Sequence, residues 1–163
     1  MKRIGLLSDT HGHWDDRYGK YFAECDEIWH AGDMLSDEIL YNLETIAPVR
    51  AVYGNCDGWD IRGRIPKLQL FNCEEHKVAM MHIVGKPGHY EAEAAKIIQE
   101  EKPTIFVAGH SHILRVIRDP QHNLLFINPG AAGKYGIHQL ITFVRFDING
   151  KEISNFDIYQ EEK

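Results

Sequence analysis

Seven polar side chains of this sequence are of the types that bind divalent metal ions. They occur in five short groups along the chain, which read Asp9-Thr10-His11, Gly32-Asp33, Gly54-Asn55-Cys56-Asp57, His82 and Gly109-His110-Ser111-His112. Imidazole and carboxylate ligands together suit borderline divalent cations such as Mn, Fe, Co, Ni and Zn. Two such ions roughly 3.5–4 Å apart can clamp a phosphoryl group and generate hydroxide near neutral pH. The residue types therefore predict a dinuclear metal centre that acts on phosphate.

Each of the five groups is a weak signal when it is taken alone. A lone histidine is more often a surface or core residue than a ligand, and an Asp-x-His or Gly-Asp pair arises often by chance. The signal lies in the order of the groups and in their placement along the predicted elements. Glycines at positions 32, 54 and 109 stand beside the candidate ligands, where the backbone must turn sharply.

The predicted strands place the five groups at one edge of a sheet. Short apolar runs at residues 3–7, 27–31, 49–53, 77–81 and 104–108 each precede one of the groups. In open α/β sheets, ligands bind beyond the carboxyl ends of the strands. We therefore expect the candidate ligands to converge at that edge.

The remaining pattern predicts further helices and strands. Ser36 is a helix N-cap followed by acidic residues and an apolar periodicity, and residues 91–101 form a helix that ends before Pro103. Residues 54–66 are predicted to form a loop. Further strands are predicted at residues 68–71, 114–118, 124–127, 140–146 and 153–159, with a hairpin turn at Asn149-Gly150.

Bulk properties limit the class of protein and of substrate. A length of 163 residues fits one domain spanning 1–163. The formal net charge of -6 disfavours a broad nucleic-acid surface, because such surfaces neutralise phosphates with basic residues. A small phosphorylated substrate remains compatible if a metal supplies the local positive charge.

The cysteine pattern and the N-terminus indicate a cytoplasmic protein. Three cysteines without a Cys-x-x-Cys pair are typical of reduced thiols. The apolar run at residues 4–7 is too short for the core of a signal peptide, and no stretch has the length of a membrane span. We therefore expect no association with a membrane.

The motif series resembles that of the calcineurin-like metallophosphoesterases, in particular the small YfcE-like phosphodiesterase branch. The similarity extends from Asp9 to the Asn128-Pro129-Gly130 turn. It implies an α/β fold, namely a four-layer α-β-β-α sandwich with two mixed β-sheets. It also implies a phosphodiesterase or phosphatase that hydrolyses a small phosphate ester with a water activated by two metal ions.

The resemblance implies a role for each candidate residue. One metal ion would be held by Asp9, His11 and His112, the second by Asn55, His82 and His110, with Asp33 as the bridge. Manganese is the expected metal, with Ni, Fe, Co and Zn as alternatives. The catalytic group would comprise Asp33, Asn55, Cys56 and His82, of which the last three would also contact substrate. Relatives often self-associate, so a homo-oligomer is a further expectation.

The sequence departs from the family pattern at three places, of which the last is Ala131-Ala132, where relatives often carry a serine hydroxyl after Asn-Pro-Gly. Cys56 stands where many relatives carry a histidine that can protonate the leaving group. Because a free thiol has a pKa of about 8.5, activated leaving groups such as nitrophenol should be favoured. After His82 the chain reads Ile83-Val84-Gly85 instead of an immediate glycine, so this loop should have a different shape, and His89 is a weaker alternative ligand.

Two other functions fit the same sequence. The retromer scaffold subunit has the resembled fold but binds proteins through a degraded metal site, and some relatives are nucleases. The complete ligand set disfavours the scaffold, and the acidic charge disfavours the nuclease.

Several other polar and aromatic residues can be explained without a role in the metal centre. We interpret five histidines as ordinary surface or core residues, namely His13, His30, His76, His122 and His138. Of these, His30 could also support the metal ligands from the core, and His13 could contact substrate. Asp57 is either an orienting group or a loop cap, and Trp14 and Trp59 either line a substrate mouth or pack. The basic residues Arg62, Arg64 and Lys67 could attract phosphate, but we interpret them as part of a solvated loop.

Overall fold

A computed structural model describes residues 1–163. In chain order the elements are β1 (Lys2–Leu7), α1 (Asp16–Tyr21), β2 (Glu27–His30), α2 (Asp37–Glu44), β3 (Val49–Ala51), α3 (Trp59–Arg62), β4 (Leu68–Cys73), β5 (His76–Met81), β6 (Gly85–Lys86), β7 (His89–Tyr90), α4 (Ala92–Glu101), β8 (Ile105–Val107), β9 (Leu114–Asp119), β10 (Leu124–Pro129), β11 (Leu140–Asn149) and β12 (Glu152–Glu162). No helix is both long and apolar enough to cross a membrane.

The strands form two five-stranded sheets and one small hairpin. The first sheet has the order β12-β11-β1-β2-β3, the second has the order β4-β5-β8-β10-β9, and β6 pairs with β7. In the first sheet β1, β2 and β3 are parallel, while β11 runs antiparallel to β1. In the second sheet β5, β8 and β10 are parallel, and β4 and β9 are antiparallel edges. Both sheets are therefore mixed.

Apolar side chains fill three spaces that define four layers. Alternate residues of the two sheets, such as Leu6, Trp29 and Val107, meet in the space between the sheets. The outer face of the first sheet packs against α1 and α2, for example through Leu43. The outer face of the second sheet packs against α4 through Ile98 and its neighbours. The predicted α-β-β-α sandwich is confirmed.

The residues predicted to begin α2 and to end α4 have these roles in the structure. Ser36 Oγ accepts a hydrogen bond from the Glu38 amide at 3.2 Å, and Asp37 and Glu38 lie in the first turn of α2. Acidic residues there complement the positive end of the helix dipole. The helix α4 ends at Lys102, which has a left-handed φ of 49°, directly before Pro103.

The structure adds elements that the sequence pattern did not predict. The predicted loop at residues 54–66 contains the single turn α3, and the hairpin β6-β7 follows His82. Isolated helices of this length are not stable in water, so α3 depends on its tertiary setting. The strands β11 and β12 are longer than predicted because they pair with each other along most of their length, on either side of the predicted Asn149-Gly150 turn.

Candidate metal centre

The seven predicted ligands come from both sheets and meet at one end of the sandwich. Four follow β1, β2 and β3 of the first sheet, namely Asp9, His11, Asp33 and Asn55, and three follow β5 and β8 of the second sheet, namely His82, His110 and His112. All follow the carboxyl ends of parallel strands, which is where the sequence placed them.

A buried group forms around Asp9, whose side chain is inaccessible to solvent. Asp9 Oδ1 lies 3.0 Å from His112 Nε2 and 3.7 Å from His11 Nε2. The ligand atoms of these three residues all lie within 4.8 Å of one another, so they could hold a metal ion.

Asp33 lies between two histidines that come from different sheets. Its Oδ2 atom is 3.1 Å from His82 Nε2 and 3.7 Å from His11 Nε2. Its Oδ1 atom accepts a hydrogen bond from the Cys56 amide at 2.8 Å, which fixes the carboxylate. One carboxylate oxygen thus faces both halves of the centre, as a bridging ligand requires.

The second half of the centre is open to solvent. Asn55 Oδ1 and His110 Nδ1 are 3.1 Å apart, and both residues are exposed. The His110 ring lies 5.4 Å from the His82 ring, measured between centroids. Asn55 and His110 therefore extend the buried group toward the surface, where a substrate can reach it.

Five of the seven residues have left-handed backbone conformations. The φ angles are 54° at Asp9, 46° at His11, 56° at Asp33, 69° at His110 and 59° at His112. Such conformations cost on the order of 1–3 kcal/mol each and persist where surrounding contacts hold them. Among these contacts, the Asp9 amide donates to Gly32 O at 2.9 Å and the His11 amide to Asp33 O at 3.0 Å.

Two glycines allow the close approach of the ligand loops. A Cβ atom at position 109 would lie 2.3 Å from Ser8 Oγ and 2.9 Å from His82 Nδ1. Gly32 has a φ of 103°, and a Cβ atom there would lie 2.6 Å from His82 Nδ1. A side chain at either position would collide with the His82 ring, and at position 109 also with Ser8, so these loops could not approach as closely.

The histidine nitrogens of the buried group fit a metal ion. His82 Nδ1 donates to the Ala31 carbonyl at 2.7 Å, so in the neutral ring the Nε2 atom carries the lone pair. His82 Nε2 and His11 Nε2 are both buried and, despite the nearby carboxylates, neither makes a hydrogen bond. An unpartnered buried polar atom costs about 1–3 kcal/mol. A cation between these nitrogens and the carboxylates would satisfy both.

The electrostatics of the carboxylates also suit a cation. Burial raises the pKa of Asp9, but the His11, His112 and His82 imidazoles outweigh burial and hold it well below its usual range. Burial likewise raises the pKa of Asp33, and His82 with the Cys56 amide lowers it further than burial raises it. For His82, burial lowers the pKa, yet the Asp33 and Asp9 carboxylates leave it above its ordinary value. Both carboxylates are therefore ionised at neutral pH.

Asp57 joins the loops that carry Asp33 and Asn55. Its Oδ2 atom accepts from the Asp33 amide at 2.9 Å and from the Gly54 amide at 2.8 Å, and its Oδ1 atom accepts from the Leu35 amide at 2.8 Å. The sequence left open whether Asp57 caps its loop or orients a neighbouring group, and the side chain does both. It caps its own loop at Gly54 and orients the loop that contains Asp33 and Leu35.

Two histidines that were interpreted as ordinary support the centre from behind. His30 is fully buried, accepts from the Gly32 amide at 3.1 Å and donates to Thr10 Oγ1 at 3.0 Å. Burial lowers the pKa of His30 to about 4, so the ring is neutral. His138 contacts His112. By contrast, His76 and His122 bond to residues outside the centre. His89, the alternative ligand, is exposed and belongs to the β6-β7 hairpin.

Cys56 lies at the exposed rim of the centre. Its Sγ atom is within 4.8 Å of ligand atoms of His11 and Asp33, so it is also a potential metal ligand, which the sequence did not indicate. Burial and the Asp33 carboxylate raise the pKa of the thiol. In the metal-free chain Cys56 is therefore a neutral thiol.

A cleft of about 430 Å³ adjoins the open half of the centre. Its lining includes Asn55 and His82 together with Tyr53, Arg62, Lys67, Ile83, Glu91 and Glu93. The Arg62 guanidinium lies 4.7 Å from the centroid of the Tyr53 ring and donates to Asp57 O at 2.7 Å. Lys67 pairs with Glu93 at 2.7 Å. Arg62 and Lys67 thus belong to a defined cleft, whereas Arg64 pairs with Asp37 at 3.4 Å.

The two tryptophans differ in their surroundings. Trp14 packs edge to face on Tyr18 with a centroid distance of 5.4 Å, beside the core cluster of the first sheet. Trp59 is 89% exposed at the start of α3. Neither residue lines the cleft beside the centre.

Residues 1–151 match the family model of the calcineurin-like phosphoesterase superfamily domain. The chain belongs to this superfamily. Among curated proteins, a probable metallophosphoesterase of Methanothermobacter thermautotrophicus is 32% identical over 138 residues, which cover 78% of this chain and 76% of that protein. The predicted membership is confirmed, and the calcineurin-like family implies divalent metal ions at a centre of this kind.

Solved structures share the fold at low sequence identity. The phosphoesterase YfcE from E. coli superposes with a TM-score of 0.66 at 19% identity, covering 95% of this chain and 98% of that chain. Vps29 from Chaetomium thermophilum superposes with a TM-score of 0.78 at 13% identity, covering 100% and 97%. At these identities the likeness establishes the calcineurin-like fold alone.

Proposed function

We propose that this chain is a phosphodiesterase or phosphatase that uses two divalent metal ions to hydrolyse a small phosphate ester. The observation that carries the proposal is the pair of buried, unpartnered imidazole nitrogens of His11 and His82, which face two ionised carboxylates. A chain without a metal would have little reason to keep this costly arrangement.

The residues would divide between two ions around a shared carboxylate. One set is Asp9, His11 and His112, the other is Asn55, His82 and His110, and Asp33 is common to both. The single Asp33 oxygen that faces His11 and His82 supports this division. When bound, a metal pair supplies positive charge for a phosphoryl group and lowers the pKa of water. Manganese suits the mixed oxygen and nitrogen set, as do Fe, Co, Ni and Zn.

The exposed residues of the centre would bind and orient the substrate. Asn55 and His110 form the open side, next to the cleft. Cys56 stands at the rim as a neutral thiol whose pKa is raised by burial and by Asp33. A thiol is a weaker proton donor to a leaving group than an imidazolium, so esters with acidic leaving groups should react fastest.

The adjoining cleft supports a small substrate over a polymer. Its volume of about 430 Å³ lies in the range of small-molecule sites, roughly 300–1,000 Å³. Lys67 is neutralised by Glu93, so the cleft is not a basic track for a phosphate backbone. Tyr53 and Ile83 offer apolar surface to one ester group, which favours a diester.

The test is hydrolysis of bis(p-nitrophenyl) phosphate and p-nitrophenyl phosphate, with and without Mn²⁺ or Ni²⁺. We expect metal-stimulated turnover, faster on the diester, that Asp33→Asn abolishes. The exposed Asp60, which makes no salt bridge, provides the control variant Asp60→Asn, and it should retain full activity. A protein that binds two equivalents of Mn²⁺ and turns over neither ester would contradict the proposal and favour the scaffold alternative.

A further inference from the structure

His138 lies in the segment between β10 and β11 and contacts the buried half of the metal centre. Its Nε2 atom is 2.8 Å from the carbonyl oxygen of Gly133. A carbonyl oxygen can only accept, so Nε2 carries the proton of this ring. In a neutral imidazole the other nitrogen is then an acceptor, which leaves a lone pair on His138 Nδ1.

That lone pair faces His112. The Nδ1 atoms of His138 and His112 are 3.1 Å apart, and the rings meet edge to face with a centroid distance of 4.9 Å. Because His138 Nδ1 accepts, His112 Nδ1 must donate. His112 Nδ1 thus carries a proton. Its Nε2 atom lies 3.0 Å from Asp9 Oδ1 and donates to it in the metal-free chain, because an ionised carboxylate can only accept. A divalent cation beside Asp9 would replace this Nε2 proton and leave the Nδ1 proton of His112 in its hydrogen bond to His138.

The backbone at Gly136 packs closely against the His112 and His138 rings and limits their movement on that side. Gly136 has a φ of 123°, and a Cβ atom there would lie 2.6 Å from His112 Nδ1 and 3.0 Å from His138 Nδ1. The His112 ring is also in edge-to-face contact with His11, at a centroid distance of 5.5 Å. The surrounding residues therefore hold the His112 ring in the orientation that the His138 contact requires.

We propose that His138 is a positioning residue that fixes the tautomer of His112, so that His112 presents Nε2 to a divalent cation. The chain of groups runs from the Gly133 carbonyl through His138 and His112 to the space beside Asp9. The inference rests on the proposed function only in taking His112 as a metal ligand. Residues that orient a metal-binding histidine through its second nitrogen typically change metal affinity by 10–100-fold.

Two substitutions separate the orienting role from simple packing. In His138→Asn the side-chain oxygen can take the place of Nδ1 and still accept from His112, while His138→Leu removes the acceptor but fills the space. His122→Leu is the matched control, because His122 bonds to Asp119 at 2.8 Å outside the centre. All four proteins are compared by thermal unfolding to verify the fold.

The first measurement is the tautomer of His112 in the metal-free protein. Long-range ¹H–¹⁵N NMR near neutral pH distinguishes a protonated from an unprotonated nitrogen in each ring. We expect Nδ1–H at His112 and Nε2–H at His138 in the wild type, Nδ1–H at His112 in His138→Asn and His122→Leu, and loss of this pattern in His138→Leu. A wild-type His112 without a proton on Nδ1, or a wild-type His138 protonated on Nδ1, would overturn the proposal, even if His138→Leu failed to fold.

The second measurement is Mn²⁺ affinity by titration calorimetry. We expect His138→Leu to bind Mn²⁺ 10–100-fold more weakly than the wild type at the site that contains His112, and His138→Asn to recover most of this loss. Equal affinities in the wild type and His138→Leu would overturn the proposal. A wild type that binds no Mn²⁺ would contradict the proposed function instead, while the tautomer pattern would still decide the role of His138.

Discussion

Removing the Asp57 carboxylate should destabilise the fold and loosen the metal centre together. The side chain is 3% exposed and accepts three backbone amides, those of Asp33, Leu35 and Gly54. A hydrogen bond to a charged group contributes about 1.5–3 kcal/mol. Three bonds at the lower limit give about 4.5 kcal/mol as the loss of unfolding free energy in Asp57→Ala. For a domain of this size each kcal/mol lowers the melting temperature by about 2–4 °C, so a fall of about 10 °C is expected.

The conservative variant gives a finer test of the same reasoning. In Asp57→Asn the side-chain oxygen can still accept hydrogen bonds from the Asp33 and Gly54 amides. The new NH₂ group faces the Leu35 amide, and because both groups are donors, that hydrogen bond is lost. We expect a loss of about 2 kcal/mol, because one bond disappears and the other two lose their charge. Urea unfolding of the metal-free protein measures both variants, with Asp60→Ala as the exposed control nearby. An Asp57→Ala protein within about 0.5 kcal/mol of the wild type, the usual range for surface substitutions, would refute this account of the two loops.

Three further predictions follow from the centre. Asp33→Asn should weaken Mn²⁺ binding and lower turnover of bis(p-nitrophenyl) phosphate by at least about 100-fold, since losing even an outer partner of a ligand costs 10–100-fold; near-normal activity with two bound metals would show that Asp33 is not the bridge. Cys56→His should keep Mn²⁺ binding and raise turnover of alkyl phosphate esters, by up to the 10²–10⁴-fold that a general acid contributes; an emptied metal site would show that the Asn55 loop is placed wrongly. Because burial lowers the pKa of His30 from 6.5 to about 4, the His30 imidazole takes up a proton below pH 6.5 in the unfolded chain but not in the folded chain. His30 alone should therefore remove about 3 kcal/mol of unfolding free energy from the metal-free protein between pH 6.5 and 4, and His30→Gln should lack this contribution. Urea unfolding at several pH values would measure this loss, and an unchanged pH dependence in His30→Gln would contradict it.

The convergence of the candidate ligands could be predicted because their signal is local. Each group directly follows a short apolar strand, so the strand ends that collect the ligands are visible in the sequence itself. The order of the motifs then sufficed for the family, and the four-layer arrangement of the sheets followed from the resemblance.

The supporting residues could not be predicted because their partners are remote in the chain. His138 contacts His112 across 26 positions, and His30 contacts Thr10 across 20. Neither contact leaves a spacing pattern, so each histidine resembled an ordinary surface or core residue. Asp57 differs, since its place in the Asn55 motif pointed to a loop cap, but its bonds to the Asp33 loop arise only in the folded chain.

The elements that were missed have little signal of their own. The helix α3 is a single turn, and the strands β6 and β7 contain two residues each. Such short segments are formed by their surroundings, since one helical turn is unstable by itself. The hairpin β6-β7 begins at Gly85, the last residue of the unusual Ile83-Val84-Gly85 segment. Gly85 has a φ of 83°, and a Cβ atom there would lie 2.3 Å from His89 O.

The central claim is that seven residues from two sheets form one centre for two metal ions. Anomalous diffraction at the manganese edge, from a crystal grown with Mn²⁺, tests it most directly. We expect two peaks that share Asp33, one contacting Asp9, His11 and His112 and the other contacting Asn55, His82 and His110. A single peak, or peaks that do not touch Asp33, would contradict the claim.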